Sequence, residues 1–461
     1  MKAPFSWAGA ACLVVAALAT TACDTDQPAA PTDAAFSEHR APLPPQLVAT
    51  VRQLAAGRGI GPLERPAPVR PALARLGQML VFDKVLSGNR DIACMTCHLP
   101  PFATGDGRSL SIGQGATGLG PDRVHPQGAF IPRNAPSLFN LTALQSLFWD
   151  GRVAIDSTGA FHTPVGDQVT PAMTAVFEFG PASALGLFPV VSREEMRGAG
   201  GNELAAIPDE VPAAIWQALM VRLGKIPAYR RLFEAAYPGT PFDQMTFAHA
   251  SNAMAAFLVS RLSFTNTPWD RFLAGDDRAL DLAQLTGAST FLSIRCSLCH
   301  NGPAFTDNQF HNVALAQFGP GEGDGTDRND DFGRARVTGL AADRYRFRTT
   351  PLRNVELTGP YGHDGAFAGL RDFIAHYSES DVKLRTFDPA TLEALLRPTL
   401  LPTADAILAT RDTIINGVVL PDSTIDQLAA FMSALTDPAA RFLDRLIPLR
   451  VPSGIPVDRP R

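Results

Sequence analysis

Cys94-Met95-Thr96-Cys97-His98 and Cys296-Ser297-Leu298-Cys299-His300 are two copies of one run, C-x-x-C-H. In such a run each thiol can add to a haem vinyl group, and the adjoining histidine can ligate the iron. Two copies imply two covalently bound c-type haems. Cys94, Cys97, Cys296 and Cys299 attach them, and His98 and His300 are the iron ligands. Zinc binding or a thiol–disulfide pair is the alternative reading. Zinc ribbons space their Cys pairs by about 15–20 residues, whereas these stand about 200 apart, a separation typical of different domains. Neither alternative accounts for a His directly after both pairs.

The remaining cysteines, Cys12 and Cys23, lie near the start of the chain. There Lys2, an apolar run from Ala8 to Ala19, and Thr20-Thr21-Ala22-Cys23 read as a secretory signal over 1–22. The run is too short to span a membrane. Cys23 behind small residues fits a lipoprotein cleavage site, so anchoring to a bacterial membrane through a lipidated Cys23 is expected; plain cleavage is the alternative. Residues 23–68 are expected to form a tether, richest in Ala, Pro, Thr and Asp before position 45. Export to the periplasm agrees with c-type haem, which is attached outside the cytoplasm.

The 461 residues suffice for two domains with full cores. A formal net charge of −5 without a basic stripe excludes a nucleic-acid partner. Helical periodicity is found over 71–82, 209–236, 247–263, 280–294 and 423–435, and 133–152 reads as loop and helix. The boundary between domains is expected near 268–275. No β pattern of any length is present. The Gly- and Asp-rich stretch 319–333 lacks Ca²⁺-loop spacing and reads as a solvated loop.

Further motifs surround the two haem runs. They are Leu76-Gly77, Leu86-Ser87, Arg133-Asn134-Ala135-Pro136-Ser137, Phe148-Trp149-Asp150-Gly151-Arg152, Phe305-Thr306-Asp307 and Phe310-His311-Asn312. The densest are Arg348-Thr349-Thr350-Pro351-Leu352-Arg353-Asn354-Val355 and Leu357-Thr358-Gly359-Pro360-Tyr361-Gly362-His363-Asp364-Gly365. In this order they resemble the bacterial dihaem cytochrome c peroxidase superfamily, and within it the MauG-like branch. The resemblance implies a mainly α fold, with two cytochrome c-like haem domains and extensive loops. It implies a peroxidatic N-terminal domain over 69–270, an electron-transfer domain over 271–438, and an irregular tail over 439–461.

The resemblance also implies roles. Gln114 stands where many relatives carry a removable His ligand to the first iron. Gln is a poor iron ligand, so an open site is expected there, with His125 as the rival cap. Aligned through Pro189, the family's acid–base glutamate falls on Glu195; Glu194 is the one-residue alternative, and both could simply be exposed acids at a helix start. A family Gln near this pocket is replaced by Leu185. Trp149 is expected between the haems as an electron relay, or as a core Trp at the interface. Tyr377 falls on the second iron's distal position, which is Met in ordinary cytochrome c peroxidases; His376 and Met432 are the rivals. A phenolate favours higher positive charge on iron, and a thioether favours Fe(II). Asn134, Thr358 and Pro360 match positions that hold an interdomain Ca²⁺.

The expected function is an exported dihaem peroxidase. It takes hydrogen peroxide and oxidises an external reductant, a periplasmic electron donor or a protein substrate. An ordinary cytochrome c peroxidase detoxifying H₂O₂ and a non-catalytic dihaem carrier are the rivals.

Overall fold

The computed structural model describes residues 42–460; the signal and lipidation expectations over 1–23 lie outside the described residues. The architecture is mainly helical. The principal helices are α1 (Pro45–Gly57), α2 (Pro71–Phe82), α3 (Pro212–Gly224), α4 (Pro227–Ala236), α5 (Phe247–Arg261), α6 (Leu282–Ser293), α7 (Leu370–His376) and α8 (Asp422–Ala434). Each of the first four begins on proline. Its fixed φ and missing N–H cost nothing in a first turn but break a helix interior. Hence the single helix expected over 209–236 is two, divided before Pro227. At the start of α6, Asp281 accepts from the Gln284 N–H at 2.8 Å and caps the helix that leads to the second Cys run.

Two large hydrophobic cores form among the described residues, with two smaller clusters beside them. The first gathers α2, α5 and the segments around them, from Leu73 to Phe264. The second gathers α6 and α8, with Trp269, Phe272, Phe291, Phe305 and Phe431. The short helix Pro268–Leu273 contributes Trp269 and Phe272 to the second core. The same packing device recurs in both cores. A Cβ on Gly77 of α2 would lie 1.8 Å from the Ala253 carbonyl oxygen of α5. A Cβ on Gly287 of α6 would lie 1.9 Å from the Gln427 carbonyl oxygen of α8. Only glycine lets each helix pair approach this closely, and each pair backs one Cys run.

Two expectations need correction and one needs an addition. The span 23–68 is not all tether: α1 buries Val48, Val51 and Ala55 in the second core. The tail is irregular but packed, with Ala440, Leu443 and Val451 in the first core. Ser453 Oγ donates to Asp83 at 2.6 Å, and Lys84 pairs with Asp458 at 2.6 Å. Each end of the described chain thus braces the half farther from it in sequence. Third, 133–152 contains a single 3₁₀ turn, Leu141–Ala143, and leads into β structure. Strands β1 (Ser146–Leu147), β2 (Val153–Ile155) and β3 (Phe161–His162) form an antiparallel ribbon, with Leu147 opposite Val153 and Ile155 opposite Phe161. Strand β4 (Phe310–His311) pairs with β5 (Phe347–Arg348). Strands of two or three residues are too short to show alternation. Among the described residues no helix is long and apolar enough to cross a membrane.

The glycine contacts yield a first prediction. Gly287→Ala should push α6 off α8 and lower stability by about 1–3 kcal/mol, the usual cost of overpacking. Chemical denaturation of the haem-loaded protein measures it.

Candidate active site

Cys94, Cys97 and His98 stand on the wall of a cavity of about 1550 Å³. Cys296, Cys299 and His300 line a second, separate cavity. The four cysteines therefore do not converge as a zinc site would require. Burial pushes the Cys94 and Cys296 thiols up to about 12, so they stay protonated.

Both histidines are held the same way. His98 Nδ1 donates to the Thr104 carbonyl at 2.8 Å, and His300 Nδ1 donates to the Phe305 carbonyl at 3.0 Å. Thr104 has φ 66° and Phe305 has φ 57°. A left-handed conformation costs a non-glycine residue roughly 1–2 kcal/mol, and here it bends the chain back so that its carbonyl meets the ring. With Nδ1 engaged, Nε2 is the nitrogen left for iron. Burial holds both rings below the usual histidine pKa, with the carbonyl contacts opposing it only in part, so both are neutral and competent to ligate. The donor set thus fits a c-type haem in each cavity: two thiols and one oriented, neutral imidazole.

Glu194 and Glu195 sit on a single π turn, Arg193–Arg197, capped by Ser192 Oγ accepting from the Glu195 N–H at 3.1 Å. The turn separates them. Glu194 is exposed, and its carboxylate accepts from Ser192 Oγ at 3.2 Å. Glu195 is half-buried, and both carboxylates belong to residues that line the first cavity. Burial raises its pKa; Arg152 opposes the rise, while Glu322 and Glu194 add to it. Leu185 also lines this cavity. Gln114 is not in the wall: its Nε2 donates to the Met196 carbonyl, so it braces the turn that carries Glu195. His125 is outside the wall too, with Nδ1 accepting from the Gln127 N–H at 3.1 Å.

In the second cavity, Tyr377 follows the last turn of α7 and lines the wall. Burial, then the Cys296 and Cys299 sulfurs, raise its pKa. His376 points elsewhere. Its Nε2 bonds the Val313 carbonyl at 2.8 Å, and it is not a lining residue. Met432 of α8 does line the cavity, within the second core. Asn134, Thr358 and Pro360 all line this second cavity. Asn134 Nδ2 donates to the Arg108 and Ser109 carbonyls at 2.9 and 3.2 Å, which leaves Oδ1 as its free acceptor for a cation. Trp149 lines both cavities, and its Nε1 donates to the Asn134 carbonyl at 2.9 Å.

Some participants carried no sequence signal. Pro320 to Asp324, from the loop read as merely solvated, close the first cavity from the other half of the chain. Arg133 is buried between Asp150 at 2.7 Å and Asp331 at 2.7 and 2.8 Å. Arg348, at the start of the Arg348–Val355 motif, lines both cavities. Cys299, Asp307 and His311 cluster within 4.8 Å. Both ring nitrogens of His311 are taken by carboxylates, Asp412 at 2.8 Å and Asp307 at 2.9 Å, which leaves none for a metal.

Residues 71–278 match the family described as Di-haem cytochrome c peroxidase. The chain is 31% identical to the cytochrome c551 peroxidase of Pseudomonas aeruginosa, over 68% of this chain and 73% of that one. It is 28% identical to the methylamine utilization protein MauG of Methylophilus methylotrophus, over 69% and 77%. A solved MauG-like protein associated with microbial copper homeostasis superposes with a TM-score of 0.55 at 25% identity, covering 82% of this chain and 94% of that one.

Asp364 supplies a pH prediction. It is buried, and its Oδ2 has no hydrogen-bond partner among the described residues. Burial lifts its carboxyl from 3.8 to about 8. Between those values the folded chain holds a proton that the unfolded chain releases, so this group makes stability fall as pH rises through that window. Asp364→Asn should flatten the slope and be more stable than wild type at pH 8. Denaturation midpoints at pH 5 and pH 8 measure it.

Proposed function

The chain belongs to the dihaem cytochrome c peroxidase and MauG superfamily and is a dihaem oxidoreductase; from that premise we propose that it reduces hydrogen peroxide at the His98 cavity and shares oxidising equivalents with a second haem ligated by Tyr377. One asymmetry carries this reading. A half-buried carboxylate, Glu195, lines the cavity of His98, and a phenol, Tyr377, lines that of His300.

When bound, the two haems supply the redox-active irons. Glu195 handles the proton. Its carboxylate accepts a proton from the near oxygen of peroxide and returns it to the far oxygen, which leaves as water when the O–O bond breaks. Two electrons and two further protons from outside reduce the remaining oxygen to a second water. Burial suits Glu195 to this exchange by bringing its pKa towards neutrality. Gln114, tied to the Met196 carbonyl, steadies the Glu195 turn and offers the iron no ligand. Trp149 spans the wall between cavities and relays electrons. The oxygen of Tyr377 offsets positive charge at the second iron. Asn134, Thr358 and Pro360 would hold Ca²⁺, which metal analysis of the dialysed protein reads directly. The working site is the periplasm, after export and anchoring through Cys23, and the reductant is an external donor or a protein side chain.

A second reading, an ordinary cytochrome c peroxidase, draws on Met432, which also lines the second cavity and could replace Tyr377 as ligand.

Glu195→Gln should slow peroxide reduction by about 10²–10⁴-fold with both haems retained, and Glu194→Gln should stay near wild type. Stopped-flow mixing with peroxide decides; a reversed pattern would move the role to Glu194. Tyr377→Met should raise the reduction potential of the second haem and shift turnover towards simple peroxidase activity. A spectroelectrochemical titration in which Tyr377→Met leaves that potential unchanged, while Met432→Leu moves it, would favour the second reading.

A further inference from the structure

The wall shared by the two cavities contains Asn134, Pro136, Ser137, Leu144, Trp149 and Arg348. Arg348 is the one cation in that wall, and it is 6% exposed. Its surroundings are unusual for a buried guanidinium. Arg133, Arg152 and Arg336 line the first cavity but are paired with carboxylates, and the other two lining arginines without an acidic partner, Arg295 and Arg328, are exposed. Arg353 lines the second and forks onto Asp270 at 2.7 and 2.9 Å. Arg348 has no acidic partner among the described residues. Nε donates to the Phe148 carbonyl at 3.3 Å, and Nη1 is buried with no partner. Burial alone acts on it, pushing its pKa down to about 10, still high enough to keep it charged at neutral pH.

An unpaired buried charge costs several kcal/mol. The backbone holds it there regardless: the Arg348 N–H donates to the Trp149 carbonyl at 2.8 Å, within strand β5. A guanidinium fixed at such a place calls for an anion, and its planar fork suits carboxylates. The anions delivered to these two cavities are the carboxylates of the haems that the cysteines tether there.

We propose that Arg348 is the shared carboxylate anchor of both haems, bonding a propionate from each across the wall that also carries Trp149. This rests on the dihaem reading and adds to it. A single cation then sets the electrostatic environment of both irons and holds the relay tryptophan in register with both. It also makes haem loading favour the docking of the two halves, because the charge is unpaired until haems are attached. Arg348 is a positioning residue.

The test compares wild type, Arg348→Gln and Arg348→Lys holoenzymes by haem content and by spectroelectrochemical titration of each haem. Loss of the guanidinium leaves negative carboxylates uncompensated near the irons, which favours Fe(III). Both midpoint potentials should therefore fall in Arg348→Gln, and Arg348→Lys should recover part of the fall. Unmoved midpoints with two haems bound would overturn the assignment, as would a fall at only one haem. If Arg348→Gln does not accumulate, Arg348→Lys decides. One ammonium lacks the fork for two carboxylates, so at least one midpoint falls; two wild-type midpoints would overturn the proposal. Wild-type midpoints that move with added chloride or phosphate would assign the guanidinium to a free anion instead. Wild type carrying fewer than two haems would overturn the dihaem reading itself, and Arg348 with it; two haems and unmoved midpoints would overturn Arg348 alone.

Discussion

Arg133 joins the two halves of the molecule, and the geometry of both cavities depends on it. It lies beside Asn134 and Ala135, whose backbone runs between the cavities, and it grips Asp150 from its own half and Asp331 from the other. Burial pushes Asp150 towards neutrality, but Arg133 and Arg152 overcome it and hold the carboxyl at about 2. A buried pair gains stability only with good geometry, while breaking one strands a charge at a cost of about 3–5 kcal/mol. Here the geometry is bidentate to Asp331, so the interaction fixes where the second half docks. The 319–333 loop follows from that docking, and with it the face of the first cavity formed by Pro320 to Asp324.

Each half repeats one construction despite strong divergence. A glycine lets the helix before the Cys run touch a closing helix. The Cys run forms one helical turn, and its histidine is steered by the carbonyl of a residue held at positive φ. What differs is the lining: Glu195 belongs to the first cavity and Tyr377 to the second, so two similar sockets present different side chains. The termini strengthen the pairing, since α1 packs on the second core and the tail on the first.

Much of the helical framework was legible because its apolar residues recur with helical spacing. The helix expected over 71–82 has those limits, and the expected 247–263, 280–294 and 423–435 end within one or two residues of α5, α6 and α8. The split at Pro227, the packed role of α1 and the short ribbons were not legible. Periodicity is blind to one proline at a helix joint, and strands of two or three residues carry no pattern. The sequence leaves Glu194 and Glu195 as alternatives, and both line the first cavity; the fold adds that Glu194 is exposed and Glu195 half-buried on one π turn.

The sequence by itself determined the covalent chemistry: two C-x-x-C-H runs, the neighbouring histidines and the family's ordered motifs are local strings whose meaning survives without coordinates. Only the tertiary structure decided which side chains look into the cavities. Tyr377 does and His376 does not, because successive residues at the end of α7 face different sides and the Val313 carbonyl claims the imidazole. It also decided that Arg348 has no acidic partner among the described residues, which depends on every neighbour around it. Such absences are set by how loops from both halves fold around a point, and no stretch of sequence encodes them alone.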